Sequence, residues 1–249
     1  MTSLSQDVLP RSVPRIAGRS GLVDRYFYFS MSLLAAVLVV WRFSRTIDRH
    51  LIHPPVPVPF LLWIHSAVFT GWIAFYILQS ALVRTRNVRL HRTFGWVGVG
   101  LAAAMIPLGF STAVVMGSYN KHLLHFAAAD AFLSVALGDI GAFAILIGLA
   151  IYWRKRPELH RRLMFLANCA LLEAALTRIH PYLFIHSLGY ACVDAVILLG
   201  VARDLVVDRH VHKVYRIALP IMIVFQIFVV YLWRGAPAWW LSIAGAILG

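Results

Sequence analysis

The feature that most constrains this chain is a series of apolar stretches, each long enough to cross a membrane. A hydrocarbon core of about 30 Å requires about 20 helical residues. Seven stretches approach or exceed that length, at 26–43, 57–83, 95–117, 128–153, 163–180, 183–204 and 215–233. Of the 249 residues, 61% are hydrophobic and 13% are charged, unlike the composition of soluble domains. The sequence therefore predicts an all-α polytopic transmembrane bundle of about seven helices.

The connections between these stretches are too short to hold a soluble domain. We therefore expect a basic leader over 1–25, a seven-helix transmembrane domain over 26–233 and a short apolar tail over 234–249. The first stretch runs into Val39–Arg45 without a small-residue cleavage site, which predicts a retained helix rather than a signal peptide. The tail is too short to span, so we expect it along the outer surface.

Basic residues divide unequally between the two sides of the predicted bundle. The leader and the connections after the second, fourth and sixth stretches hold 17 of the 23 Lys and Arg residues. Because positive loops stay inside, we predict a cytoplasmic N-terminus and an outer C-terminus. This bias explains the formal net charge of +13 without a nucleic-acid partner. The expected partners are membrane lipids and either a respiratory or other membrane complex or further copies of this chain.

The triplet Ile-His-Ser occurs twice inside apolar sequence, at Ile64–Ser66 and Ile185–Ser187. Each of its histidines is followed 26 residues later by another histidine in a basic segment, His91 and His212. A related segment, Leu159–Arg162, immediately precedes the fifth apolar stretch. This spacing predicts a parallel repeat, in which one helix is followed by three degenerate helical hairpins.

At about 1.5 Å per residue, the spacing corresponds to about 39 Å, close to the thickness of a bilayer with its headgroups. We therefore expect His65 and His186 near the outer face, where they could ligate one haem b or transition-metal ion between two helices. His122, His125 and His180 could form a second site or bind haem propionates. In the alternative interpretation, each histidine pairs with a neighbouring polar group across a helix interface.

Three carboxyl groups fall near the middle of predicted helices: Asp139, Glu173 and Asp194. A carboxylate at that depth costs several kcal/mol unless it is neutralised, paired or hydrated. Tyr190 lies one helical turn from Asp194 and shares its face. These four residues are candidates for proton handling, and structural hydrogen bonding is the alternative for them.

A second set of candidates lies in the basic connections at the predicted cytoplasmic face. Arginine and histidine there could contact anionic groups such as phosphate, haem propionate or quinone headgroups. The candidates are His91, Arg92, His160, Arg161 and His212. The alternative is that they anchor helix ends at the interface, and we expect no metal among so many arginines.

The sequence lacks a Walker loop, a dinucleotide-binding glycine pattern, an HExxH motif and a CxxC motif, so whether it is an enzyme stays open. The order Ile64-His65 with Gly71, then Leu90–Trp96 and Leu159–Met164, resembles uncharacterised bacterial multi-helix membrane proteins that share a domain of unknown function. The resemblance covers about residues 60–190. It implies a bacterial inner-membrane bundle and no particular activity.

A weaker likeness is to dihaem b-type cytochromes of the bacterial membrane, in which paired histidines hold haem near each face. This chain departs from that pattern because its inner histidines lie in charged loops, so a second haem is not expected. Three functions follow as hypotheses. The first is haem or metal binding for redox chemistry or respiratory-complex assembly. The second is proton-coupled transport through Glu173, Asp139 and Asp194, and the third is a non-catalytic subunit.

Overall fold

The computed structural model describes residues 20–249. Residues 1–19 of the predicted leader lie outside the described residues. The described part is all-helical. Its α-helices are α1 Ser20–Ser44, α2 Phe60–Arg84, α3 Val88–His122, α4 Ala129–Tyr152, α5 Pro157–Ala170, α6 Glu173–Leu176, α7 Pro181–Ile185, α8 Gly189–Val207, α9 Lys213–Val230 and α10 Ala238–Leu248. Two short π-helical segments, Asp48–Ile52 and Tyr231–Gly235, follow α1 and α9.

Five helical segments in the described part are long and apolar enough to cross a membrane. They are Gly21–Ser44, Phe60–Arg84, Val88–His122, Ala129–Tyr152 and Lys213–Gly235. These five helices support the prediction of a helical membrane protein. The predicted count of seven is not confirmed, because the stretches 163–180 and 183–204 are each divided into two helices.

The connections α2–α3, α4–α5 and α8–α9 lie at one end of the bundle, which we call the basic end. Local sequence explains these turns. Arg86 and Arg209 take positive φ angles after α2 and α8, and the Asn87 side chain accepts a hydrogen bond from Leu90 N at the start of α3. Proline occupies the first position of α5, where its missing N–H costs nothing.

Helix α4 is the centre of the bundle and packs against α3, α5, α9 and α10. Close approach depends on small residues, as is common between membrane helices. A Cβ atom at Gly109 of α3 would lie 2.7 Å from Ile140 of α4, and one at Gly138 would lie 2.8 Å from Val229 of α9. Phe143 is fully buried in the core between these contacts.

The C-terminal tail folds as α10 and packs against α3 and α4. Trp240 is buried and its indole donates a hydrogen bond to Ala131 O at 3.3 Å. Leu248 packs where Gly117 leaves space on α3. The tail is therefore a packed part of the bundle, and its 11-residue helix is too short to span.

Candidate functional site

The chain between α5 and α8 is broken into short helical pieces. Helices α5 and α8 contain 14 and 19 residues, or lengths of about 21 and 28 Å. Between them lie α6, an extended residue His180, α7 and a turn in which Ser187 has a φ of 57°. Irregular backbone inside a membrane bundle is tolerated where protein buries it or where it lines a cavity.

This broken segment brings together most of the predicted proton-handling groups. Tyr190, near the start of α8, donates a hydrogen bond of 2.8 Å to Oδ1 of Asp139, near the middle of α4. Glu173, the first residue of α6, is buried against Gly189. A Cβ atom at Gly189 would lie only 2.6 Å from Glu173 Oε1, so this contact requires glycine.

Asp194 lies one turn after Tyr190 on α8 and accepts a hydrogen bond of 3.1 Å from the buried amide of Gln226 on α9. The Gln226 side chain also lines a cavity of about 20 Å³, large enough for one water molecule. Asp139 and Tyr190 border this cavity as well, and its other lining residues are apolar. Helices α4, α8 and α9, with Ala170 of α5, thus enclose a small and largely apolar space beside Asp139.

The electrostatic setting of these carboxyl groups is unusual. Within residues 20–249, none of Asp139, Glu173 and Asp194 forms an ion pair. The hydrogen bonds to Asp139 and Asp194 come from neutral groups. Neutral donors stabilise a carboxylate less than a cation does, so these sites favour a bound proton.

The opposite situation occurs at the basic end, where charged side chains pair with one another. We call this group the charged cluster. It joins α1, α5, α8 and the turn after α8. Its members are Asp24, Glu158, Arg161, Arg162, Arg203, Asp204 and Asp208.

Arg162 and Asp204 form the centre of the charged cluster. Their side chains are 1% and 0% exposed. The guanidinium donates to both carboxylate oxygens, with Nε–Oδ2 at 2.9 Å and Nη2–Oδ1 at 2.7 Å. It also donates to Glu158 Oε2 at 2.6 Å and to Asp208 Oδ2 at 2.7 Å. This bidentate geometry is the strong form of an arginine–carboxylate pair.

Arg203 completes the cluster from α8. It donates to Asp204 at 2.8 Å and to Asp208 at 2.6 Å, and it also pairs with Asp24 of α1. Arg161 bonds Asp24 and Glu158. Three arginines therefore face four carboxyl groups, so each guanidinium has carboxylate partners and the ionised cluster carries one excess negative charge. Sequence reasoning missed this site, because Arg162 and Arg203 were counted only as signals of orientation.

The outer histidines have different surroundings. His65 is half-buried on α2, stacks on Phe69 with ring centroids 4.0 Å apart, and its buried Nδ1 finds no hydrogen-bond partner among the described residues. His186 is exposed after α7 and lies 4.0 Å from the ring of Tyr182. Helix α2 packs mainly against α1 and α3, and α8 against α1, α5, α6 and α9. A ligand shared by His65 and His186 stays a prediction.

The three remaining outer histidines are exposed. His122 Nε2 lies 3.3 Å from Leu248 O, His125 takes a positive φ after α3, and His180 caps α7 by accepting from Tyr182 N. In the described part of the chain, no group of three or more His, Cys, Asp or Glu residues could hold a metal ion. A second outer site stays a prediction.

The predicted anion-binding residues at the basic end are divided between two places. Arg161 belongs to the charged cluster, and His212 N donates to Asp204 Oδ2 at 3.3 Å, so both lie at that network. His91 and His160 face each other with ring centroids 6.3 Å apart. Arg92 is exposed. Their binding of anionic groups stays a prediction.

Comparison with known proteins finds no matching family model, no matching curated protein and no matching solved structure. The function is therefore argued from the geometry alone.

The first prediction concerns the centre of the charged cluster. Replacing Asp204 by Asn removes the fully buried carboxylate that pairs with both Arg162 and Arg203, and we expect a loss of about 3–5 kcal/mol in the free energy of unfolding. The measurement is denaturant unfolding of the purified protein in mild detergent. The control is Asp48→Asn, because the Asp48–His53 pair is exposed, and its cost should stay below about 1 kcal/mol. Equal effects of the two substitutions would contradict a central role for the cluster.

The second prediction concerns pH. Burial alone would raise the pKa of Glu158, but hydrogen bonds and charges from Arg162 and Arg161 outweigh burial and hold that pKa below its usual value of 4.5. A carboxylate with a lowered pKa stabilises the fold above its unfolded pKa, and this stabilisation disappears as the pH falls through the folded pKa. The stability difference between wild type and Glu158→Gln should therefore shrink below about pH 4.5. Thermal unfolding at a series of pH values measures it, and a pH-independent difference would refute the interpretation.

Proposed function

We propose that this protein is an integral membrane carrier that couples transport to proton movement. The observation that carries the proposal is the carboxyl group of Asp139, which lies near the middle of a membrane helix and is hydrogen-bonded by the neutral Tyr190. Ionisable residues in such positions are expensive, and they mark ion and proton pathways. Asp139 is the central proton-binding group in this proposal.

Glu173 is the second proton-binding group. It enters from the broken segment and is buried against Gly189, the residue before Tyr190. In this proposal the two carboxyl groups share one buried site, and at least one of them holds a proton at rest because two carboxylates there would repel each other. The Tyr190 hydroxyl donates a hydrogen bond to the carboxylate of Asp139. This hydrogen bond lowers the free-energy cost of releasing the Asp139 proton.

The path continues toward α9. A single water molecule in the cavity beside Asp139 would lie next to the Gln226 amide, which also holds Asp194. An amide does not release its proton, so in this proposal protons pass between Asp139 and Asp194 through water that enters this space. Gln226 is the positioning residue for Asp194.

The broken segment supplies the element that moves. Discontinuous helices near the midplane form the binding sites of many transporters, because free backbone groups there can contact a substrate. A cavity of about 20 Å³ admits water but no organic substrate. A substrate therefore enters in a second conformation, in which α6 and α7 shift away from Gly189.

The test uses proteoliposomes that contain a pH-sensitive dye and are challenged with pools of organic acids, amines and sugars. At least one pool should drive proton movement, and Asp139→Asn and Glu173→Gln should each abolish it. The matched control is Asp130→Asn, on the same helix as Asp139 but paired with Lys121 at 3.1 Å, which should transport normally. Absence of proton movement with every pool would reject the carrier.

An infrared measurement tests the proton-binding groups without a substrate. The purified protein at neutral pH should show the C=O stretch of a protonated carboxylic acid, and Asp139→Asn or Glu173→Gln should weaken that band. A spectrum in which neither substitution changes the band would show that both groups are ionised.

A haem or a transition metal near His65 and His186 is the second candidate. It is favoured by the buried Nδ1 of His65, which has no hydrogen-bond partner in the described part of the chain and retains its capacity to bind a ligand. The described residues around it provide no pre-formed set of three metal ligands, and we assign no reaction step to it.

The second candidate is tested by colour and metal content. Protein purified from cells supplied with haem precursors and metals is examined by a reduced-minus-oxidised optical spectrum and by elemental analysis. If the candidate is right, His65→Ala and His186→Ala each remove the cofactor, whereas His160→Ala leaves it. A colourless, metal-free wild type, or full occupancy in either outer variant, would reject this pair of ligands.

A further inference from the structure

Two histidines that are far apart in sequence meet at the basic end of the bundle. His91 lies in the first turn of α3 and His160 in the first turn of α5. Their ring centroids are 6.3 Å apart and their planes cross at 66°. Both side chains are half-buried, so the rings are held in place but remain within reach of water.

The hydrogen bonds of the two rings leave one nitrogen of each for another partner. His160 Nδ1 lies 2.9 Å from Ala150 O. A carbonyl oxygen can only accept, so Nδ1 carries the proton and Nε2 keeps its lone pair. This arrangement, with Nδ1–H donated to a backbone carbonyl, is how proteins orient histidines that bind metals.

The buried side chain of Gln79 orients His91. In the orientation that satisfies both of its polar atoms, the Gln79 amide nitrogen donates to His91 Nδ1 at 2.5 Å, and its oxygen accepts from Gly95 N at 3.3 Å. Because Nδ1 accepts here, the proton of a neutral His91 lies on Nε2. His91 therefore binds a metal through Nε2 when that proton moves to Nδ1 and the amide turns to present its oxygen.

The spacing of the rings is close to that required for a shared ion. Metal–imidazole bonds are about 2.0 Å long, so two imidazoles on one metal place their ring centroids roughly 5–6 Å apart, depending on the bond angle. The observed 6.3 Å lies just beyond this range, so the rings must approach each other to share an ion. A movement of about 1 Å brings the pair to the tetrahedral value.

Three arginines of this end are engaged elsewhere. Arg161 and Arg162 are neutralised by the charged cluster, and the Arg154 guanidinium lies 5.4 Å from the ring of Trp96. Arg92 is exposed, so water screens its charge at the neighbouring His91.

We propose that His91 and His160 form a two-imidazole site for a transition-metal ion of the zinc type. Water completes the coordination, so the ion is exchangeable, unlike a structural zinc ion with four protein ligands. This site is independent of the proton-binding groups proposed above.

The test is zinc binding to the purified full-length protein, measured by equilibrium dialysis and elemental analysis at free Zn²⁺ up to about 100 μM, which saturates a site with a Kd of about 10 μM. Wild type should bind one more equivalent than His91→Ala. His160→Gln should lose the same equivalent, and size-exclusion profiles and thermal unfolding of both variants should show that they remain folded. Zn²⁺ should also raise the melting temperature of wild type and leave that of His91→Ala unchanged.

The matched control is His210→Ala, because His210 is exposed at the same end of the bundle and its ring bonds Asp208 O. This variant should bind as much zinc as wild type. Equal zinc content in wild type and folded His91→Ala would overturn the proposal, as would a wild type that binds no zinc at these concentrations. Neither result would change the proton-coupled transport assay, so the two proposals fail separately.

Discussion

The structure depends on the rule that charge removed from water must be neutralised within the protein. Arg162 and Asp204 form a fully buried bidentate pair at the basic end, in which each charge neutralises the other. This pair connects α5 to α8 across the broken segment that separates them in sequence. Helices α5 and α8 are both shorter than the uninterrupted helices α3 and α4. Lipid contact therefore contributes less to holding them in position, and the charged cluster fixes their ends.

The two polar regions of the bundle use opposite solutions to the cost of burial. At the basic end, three arginines pair with four carboxyl groups, and both partners of each pair remain ionised. The described hydrogen-bond donor to Asp139 is the neutral Tyr190, beside a cavity of one-water size, so burial favours the protonated acid. The first arrangement stabilises a fixed structure, whereas the second permits a change of protonation.

Hydropathy predicted the long uninterrupted helices α1, α2, α3, α4 and α9, although α1 and α3 extend beyond their predicted stretches. The predicted stretches separate at 180–183, but they do not include the interruptions at 171–172 and 186–188, because the shape there depends on tertiary contacts such as that of Glu173 with Gly189. The three buried carboxyl groups were predicted from their positions near the middle of apolar stretches. The charged cluster was not predicted, because Arg162 and Asp204 are 42 residues apart and each resembles an ordinary charge at a helix end.

The repeated Ile-His-Ser triplet shows why a short motif does not determine local structure. Ser66 lies within α2 and bonds Leu62 O, one turn earlier, whereas Ser187 leaves the helical path and accepts from Arg234 Nε at 2.8 Å. Both triplets begin four residues after the start of a helix, but α2 continues to Arg84 whereas α7 ends at Ile185. Helix α8 then carries Tyr190 and Asp194 near its start and Arg203 and Asp204 near its end. One helix therefore connects the buried carboxyl groups to the charged cluster.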